Sequence, residues 1–219
     1  MLSVMSLITT RADLSAESAA EAVAVAKAAI PGCVLNRVTD RSQKGIAYER
    51  GAQDLDAIAQ FPFADVSASL SAANEGRLDL TMGLPPGIID EVHPILCLKN
   101  TVLPPPGPEA GLKRMSILRK RPDVSAAFFQ EQWFNLHALL VKRLPGIQGY
   151  RQNLVIDGPR DADGHMMVDG MVELWFPDSA TIDAAFQSAI GNTTMMHARE
   201  FIGEISTFLV QPLGAAGQG

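Results

Sequence analysis

Along Asp169–Phe176, Met171, Glu173 and Trp175 alternate with Val172, Leu174 and Phe176, a period of two that predicts a strand. Over Ser125–Leu144 the period lengthens to that of a helix. At about 100° per residue, Phe129, Trp133, Leu136, Leu140 and Leu144 form one stripe, with His137 at its border beside Trp133 and Val141. Asp123-Val124-Ser125 offers a cap at the start of this helix, and Pro145-Gly146 stops it. Arg114–Arg119 and Ile147–Ile156 read as strands, Asp157–Gly164 as a polar loop, Ser179–Ala189 as a second helix and Phe201–Val210 as a closing strand. The order β-α-β-β-α-β is the ferredoxin-like pattern.

The first half gives the same order more weakly. Strands are expected over Leu2–Thr9, Cys33–Thr39, Asp54–Phe61 and Glu91–Leu98, and helices over Ser15–Ile30 and Ala64–Ala73. The halves also share residues: Met5-Ser6-Leu7-Ile8 returns as Met115-Ser116-Ile117-Leu118, and Ile30-Pro31-Gly32 as Leu144-Pro145-Gly146. Ile89-Asp90-Glu91-Val92 is answered by Ile202-Gly203-Glu204-Ile205. Between them, Asn100–Gly111 contains Pro104-Pro105-Pro106 and predicts a stiff, extended connector without ladder hydrogen bonds. The chain therefore divides into a first unit at residues 1–100, a proline-rich linker at 101–111, a second unit at 112–212 and a frayed tail at 213–219. Each unit's sheet has one face covered by helices and one apolar face needing cover, so the two sheets are expected to close on each other within one chain.

Composition narrows the class. Hydrophobic residues make up 47% of the chain and charged ones 19%, the balance of a soluble globular protein. A formal net charge of −6 and the lack of a dense basic run argue against nucleic acid as a partner. The basic cluster Lys113, Arg114, Arg119, Lys120 and Arg121 reads as a solvated strand edge and turn. Cys33 and Cys97 fit neither a disulfide framework nor a metal-ligand spacing, and read as buried free thiols in a reducing compartment. No apolar run has transmembrane length and Met1–Ile8 lacks the basic flank of a signal segment, so no membrane and a cytoplasmic location are expected. Phosphate loops, dinucleotide-binding glycine fingerprints, HExxH and Gly-x-Ser-x-Gly are absent. Met166-Met167 and Met195-Met196 read as adaptable apolar walls.

One run of motifs goes further. Trp133-Phe134-Asn135-Leu136-His137, then Leu144-Pro145-Gly146-Ile147, then Tyr150-Arg151-Gln152-Asn153, followed by Glu173-Leu174-Trp175-Phe176 and Phe201-Ile202, resemble the EthD family in order and spacing. In that family a Trp-x-x-x-His helix passes through a Leu-Pro-Gly turn into a strand bearing Tyr and Gln-Asn. The resemblance implies an α+β fold in which two ferredoxin-like (βαββαβ) domains in tandem form an intramolecular dimeric α+β barrel. The first copy is degenerate, since its alanine-rich helix from Ser15 to Lys27 holds neither His nor Trp; one site per chain follows. Relatives in this superfamily include cofactor-free enzymes of aromatic, polyketide and lactone chemistry, and others that bind haem.

By that resemblance His137 is the catalytic candidate, Trp133 shapes its pocket, and Tyr150 or Asn153 donates to a substrate oxygen. Tyr150 and Asn153 have opposite parity on their strand and share a pocket only if a bulge intervenes. Trp175 and Glu173 share a face that lines the cavity or the barrel seam, and His197 lies in a segment placed to cover the pocket. His165 reads as a solvated loop residue and His93 as structural. A histidine bordering an apolar stripe is either structural, bonded to a backbone carbonyl, or a general acid/base tuned by burial. The expected function is a cofactor-independent enzyme acting on a hydrophobic aromatic or polyketide-like small molecule by His-assisted proton transfer, of lyase or isomerase type. The alternatives are a cofactor-free monooxygenase of the same fold and a non-catalytic EthD-type binding or accessory protein. No cofactor is expected, with haem on His137 as the alternative. The partner is a small-molecule substrate, and edge strands leave room for a homodimer.

Overall fold

The structure is a computed structural model that describes residues 2–11, 13, 15, 18, 33–43, 46, 48–63, 67–68, 71, 75, 89–107 and 111–213. Its strands are β1 (Leu2–Thr10), β2 (Val34–Asp40), β3 (Ala57–Pro62), β4 (Ile89–Leu103), β5 (Leu112–Lys120), β6 (Gly149–Asp157), β7 (Gly170–Phe176) and β8 (Ile202–Leu213). They close into an antiparallel barrel in the order β1-β3-β2-β8-β5-β7-β6-β4. The first-half strands thus run β4-β1-β3-β2 and the second-half strands β8-β5-β7-β6, and the pairs β2 with β8 and β4 with β6 join the halves.

The second half carries α1 (Ala126–Gln132), a π-helical segment (Trp133–His137), α2 (Ala138–Val141), α3 (Ser179–Gln187) and α4 (Ala189–Ala198). Helix α1 starts where the sequence places it, with the Ser125 side chain accepting from Phe128 N. The helices expected over Ser15–Ile30 and Ala64–Ala73 fall largely outside the described residues, as does the tail beyond Leu213. Cys33 and Cys97 are buried and free.

Three expectations need correction. The connector begins later than Asn100, because β4 continues through Leu103 and pairs Asn100 with Gln152, Thr101 with Arg151 and Leu103 with Tyr150. The prolines after it lie against β6, where a Cβ on Gly149 would come within 2.9 Å of Pro105 Cα. The segment after Ser188 is a helix, α4, that its Gly, Asn and Thr residues do not advertise. Gly191 lets α4 start hard against α3, since a Cβ there would lie 2.3 Å from the Ala185 carbonyl oxygen.

The third correction concerns the basic cluster. Strand β5 lies between β7 and β8, not at an edge, and Lys113 and Arg114 are buried while Arg119 and Arg121 remain partly exposed. Alternate residues of β5 face opposite layers. Met115 and Ile117 pack inside the barrel with Met5, Leu7, Cys97 and Phe208, and Lys113 points the same way. There its Nζ lies 2.7 Å from Glu173 Oε2, 3.0 Å from Asn36 Oδ1 and 2.9 Å from Gln60 Oε1. Asn153 Nδ2 donates to Glu173 Oε1 at 3.0 Å. Burial alone would raise the Glu173 carboxyl, but the charge of Lys113, helped by Arg151 and Asn153, holds it below its ordinary value.

This pair generates a prediction. Lys113→Met leaves Glu173 buried and unpaired and should lower unfolding stability by about 3–5 kcal/mol, whereas Lys113→Met combined with Glu173→Met should recover most of the loss. Urea denaturation of the three proteins checks it.

Candidate functional site

The helix that carries His137 widens in its middle. In the π-helical segment Trp133–His137 an extra residue enters the turn, which shifts the phase of everything after it and frees backbone carbonyls for outside donors. Gln152 Nε2 donates to the Trp133 carbonyl oxygen at 2.6 Å and to Tyr150 Oη at 2.7 Å. The phase shift corrects the predicted stripe. Phe129, Trp133, His137, Ala138, Val141 and Leu144 are buried, while Leu136 is 49% exposed. The Trp133 ring lies over Gly170, where a Cβ would sit 2.6 Å from it.

Helix α4 brings His197 onto this segment. The two imidazoles are stacked, with centroids 5.5 Å apart, and Phe201 stands 5.3 Å from each. His137 Nδ1 is 3.3 Å from His197 Nδ1, and His197 Nε2 is 3.2 Å from Gln132 Oε1. His137 is thus bonded to another side chain, not to a backbone carbonyl. Gln132 Oε1 only accepts, so His197 carries its proton on Nε2, and its Nδ1 accepts from His137 Nδ1–H. That leaves the lone pair of His137 on Nε2, to which no hydrogen bond runs among the described residues. Burial, reinforced by the neighbouring His197, pushes His137 down to about 3. Burial lowers His197 too, against the opposing pull of Glu200.

Between these helices and the outer face of β5–β8 lies an apolar cavity of about 50 Å³, walled by His137, Ser116, Tyr150, Leu174, Phe186 and Met195 among others. Tyr150 is fully buried, and burial pushes its hydroxyl above its ordinary value. Its oxygen accepts from Gln152, leaving its own proton free to donate. The sequence-selected residues therefore separate. His137 and Tyr150 share the cavity, and His197 reaches it through His137. Trp133 lies deeper, among Phe129, Phe201 and Leu118. Asn153 and Trp175 face the barrel interior, where Asn153 bonds Glu173 and Trp175 lies under Lys113 and Arg151 at 5.1 and 5.5 Å. The parity argument separating Tyr150 from Asn153 corresponds to these two compartments.

Three residues of this region escaped the sequence reading. Gln152 shares the parity of Tyr150, a signal that was present. Gln132 precedes the helix widening, which no local pattern announces. Arg114, which reads as solvated in the sequence, lies buried on the helix-covered face of β5. The other histidines are remote: His93 pairs with Glu91, and His165 sits on an exposed turn with Asp161 and Asp163.

A sequence profile of the EthD domain matches residues 121–204, less than half of the chain. No curated protein matches in sequence. In structure the chain is similar to an anthrone oxidase-like protein, at 13% identity and TM-score 0.60, with 97% of this chain and 91% of that one covered. It is similar to a putative monooxygenase from Lactobacillus acidophilus NCFM, at 12% identity and TM-score 0.56, covering 100% and 96%. A putative chlorite dismutase matches at 13% identity and TM-score 0.51, covering 98% and 95%. At such identities the likeness establishes the α+β barrel, and no helix among the described residues is long and apolar enough to cross a membrane.

The same comparison corrects the expectation of no cofactor, since a putative chlorite dismutase is among the structures similar to this one in fold. The His137 cavity itself does not fit haem as it stands. Its volume of about 50 Å³ is far below the roughly 300–1,000 Å³ of ligand pockets. No step is assigned to haem.

Two expected outcomes follow from this geometry. The unfolded imidazole titrates near 6.5 and the folded His137 near 3, so on acidification through that window the unfolded chain takes up a proton that the folded one refuses. Unfolding free energy should therefore fall below pH 6.5, by up to about 1.4 kcal/mol per pH unit for this residue, with His197 adding in the same sense; His137→Asn should flatten the slope in urea titrations at pH 7, 6 and 5. Gln152→Leu should cost about 1–3 kcal/mol by stranding the Trp133 carbonyl, read in the same assay.

Proposed function

The chain carries an EthD domain over residues 121–204, set in an α+β barrel, and on that premise we propose that it is an enzyme for an apolar small molecule on which His137 moves a proton. The supporting observation is the chain Gln132–His197–His137, which fixes the tautomer of His137 and leaves an unprotonated Nε2 at an apolar cavity. The matching strand orders of the two halves support reading them as two ferredoxin-like units, the second bearing the site.

In this mechanism Nε2 accepts the proton of an acidic C–H or O–H, and the electron pair stays on the substrate. Tyr150 O–H donates to the oxygen on which that charge collects. An imidazole held near 3 is neutral at any physiological pH, and it becomes a stronger base once an anion forms beside it. The cavity is small, about 50 Å³, so the substrate enters as Met195, flexible and partly exposed on the wall, swings aside. The anion then expels a leaving group or takes the proton back at another atom, a lyase or isomerase outcome on an aromatic or polyketide-like skeleton. A second reading, in which the anion instead reduces dioxygen, is favoured by the names of the anthrone oxidase-like and monooxygenase-like structures.

The test uses anthrone and 1-tetralone in D₂O. Wild-type protein should accelerate hydrogen–deuterium exchange at their acidic carbons, and His137→Gln should lower the rate by about 10²–10⁴-fold, with a smaller loss in His197→Gln. Equal exchange in wild type and His137→Gln overturns the reading. An oxygen electrode in the same reaction separates the two outcomes, since only the oxygenase consumes dioxygen in proportion to product.

A further inference from the structure

Arg114 stands on the helix-covered face of β5, two residues from Ser116 and directly across from Leu174 on β7, and both of these neighbours wall the His137 cavity. Its guanidinium stacks over the Phe186 ring at 4.8 Å, and Phe186 is another wall of the same cavity. The residue is 2% exposed, and among the described residues none of Nε, Nη1 and Nη2 has a hydrogen-bond partner. The acid whose field reaches it is Asp183 on α3, yet the two form no ion pair. Burial brings the guanidinium down only to about 10, so it is charged at neutral pH.

A cation with its full set of N–H donors idle inside an apolar layer is an unusual thing for a protein to keep. Buried polar groups are ordinarily satisfied, and a cation–π contact recovers only part of the hydration that burial removes. Packing alone would be served better by an apolar residue of the same length. The arrangement makes sense if the partner arrives from outside. A guanidinium presents parallel N–H donors that match the two oxygens of a carboxylate.

Arg114 is not itself a wall of the cavity but adjoins it, over Phe186; we propose that it is the anion-binding group beside this cavity and that the ligand is an apolar molecule carrying a carboxylate. The carboxylate seats on the Arg114 donors, and the carbon skeleton fills the apolar space that His137 and Tyr150 wall. The inference rests on the proton-transfer reading of the same cavity, to which it adds the charge and class of the substrate.

The test measures binding to the full chain by isothermal titration calorimetry. The probes are acetate, cyclohexanecarboxylate, benzoate and 1-naphthoate, each with its neutral primary amide, so that size and charge vary separately. In wild type at least one carboxylate should bind tenfold or more tightly than its amide. Arg114→Met, which keeps the contact with Phe186, should abolish that preference without lowering the melting temperature, and Arg114→Lys should retain part of it. Should Arg114→Met fail to fold, Arg114→Gln takes its place. Amides binding as well as carboxylates, a preference that survives in the Met or Gln variant, or no binding by either series overturns the proposal. The proton-transfer reading fails separately, when exchange is indifferent to His137→Gln; a wild type without carboxylate preference, or a preference that survives in the Arg114 variants, removes only the role of Arg114 when that effect is intact.

Discussion

The Lys113 ammonium inside the barrel is the interaction on which the rest depends. It has three N–H donors and meets three acceptors, Asn36 and Gln60 from the first half and Glu173 from the second. A buried charge tolerates few arrangements, because each donor left unpaired carries its full desolvation penalty. The cluster therefore fixes how β2 and β3 stand against β5 and β7. A slip of one residue in β5 would send Lys113 outward and bring Arg114 into the barrel, reversing every side chain of the strand. The two halves close around this point, and the chain completes its barrel without a second copy.

With that register set, the sheet divides the polar chemistry into two compartments. Inside lie Lys113, Glu173, Asn153 and Trp175; outside, beneath the helices, lie Arg114, Tyr150, Gln152 and the histidine pair. In the inner set the two charges are paired, Lys113 with Glu173, and the set reads as structure. The outer set differs. Among the described residues Arg114 has no hydrogen-bond partner, Tyr150 has a proton to give, and no hydrogen bond runs to the lone pair of His137 Nε2. Unspent hydrogen-bonding capacity at an apolar cavity is what distinguishes a site from a polar core. The π-helical segment makes it so, since the widened turn carries His137 inward and gives Gln152 a carbonyl that also anchors its contact with Tyr150.

Much of this was legible in the chain. The strands of the second half, the Ser125 cap and the position of His137 on the buried side of its helix follow from periodicity and turn chemistry. The parity of β6 separates Tyr150 from Asn153, and the motifs around Trp133, His137 and Tyr150 point to EthD. The first strand of each half was legible only as an apolar run, because its residues are buried on both faces and their alternation is hidden. Lys113 and Arg114 looked solvated because charge in a sequence reads as surface, and their burial depends on partners far along the chain.

What the sequence by itself determined is local: where strands and helices begin, which residues share a face, and that the Trp133–His137 motif occurs in one half and not the other. Tertiary structure alone decided which face of β5 lies inside the barrel, that the helix widens at Trp133–His137, that α4 brings His197 to His137, and that Arg114 is buried without a hydrogen-bond partner among the described residues. The physical reason is range. Caps, turns and periodicity act over a few residues, whereas burial and hydrogen-bond satisfaction are settled between Lys113 and Gln60, or His137 and His197, groups that meet only after the barrel has closed.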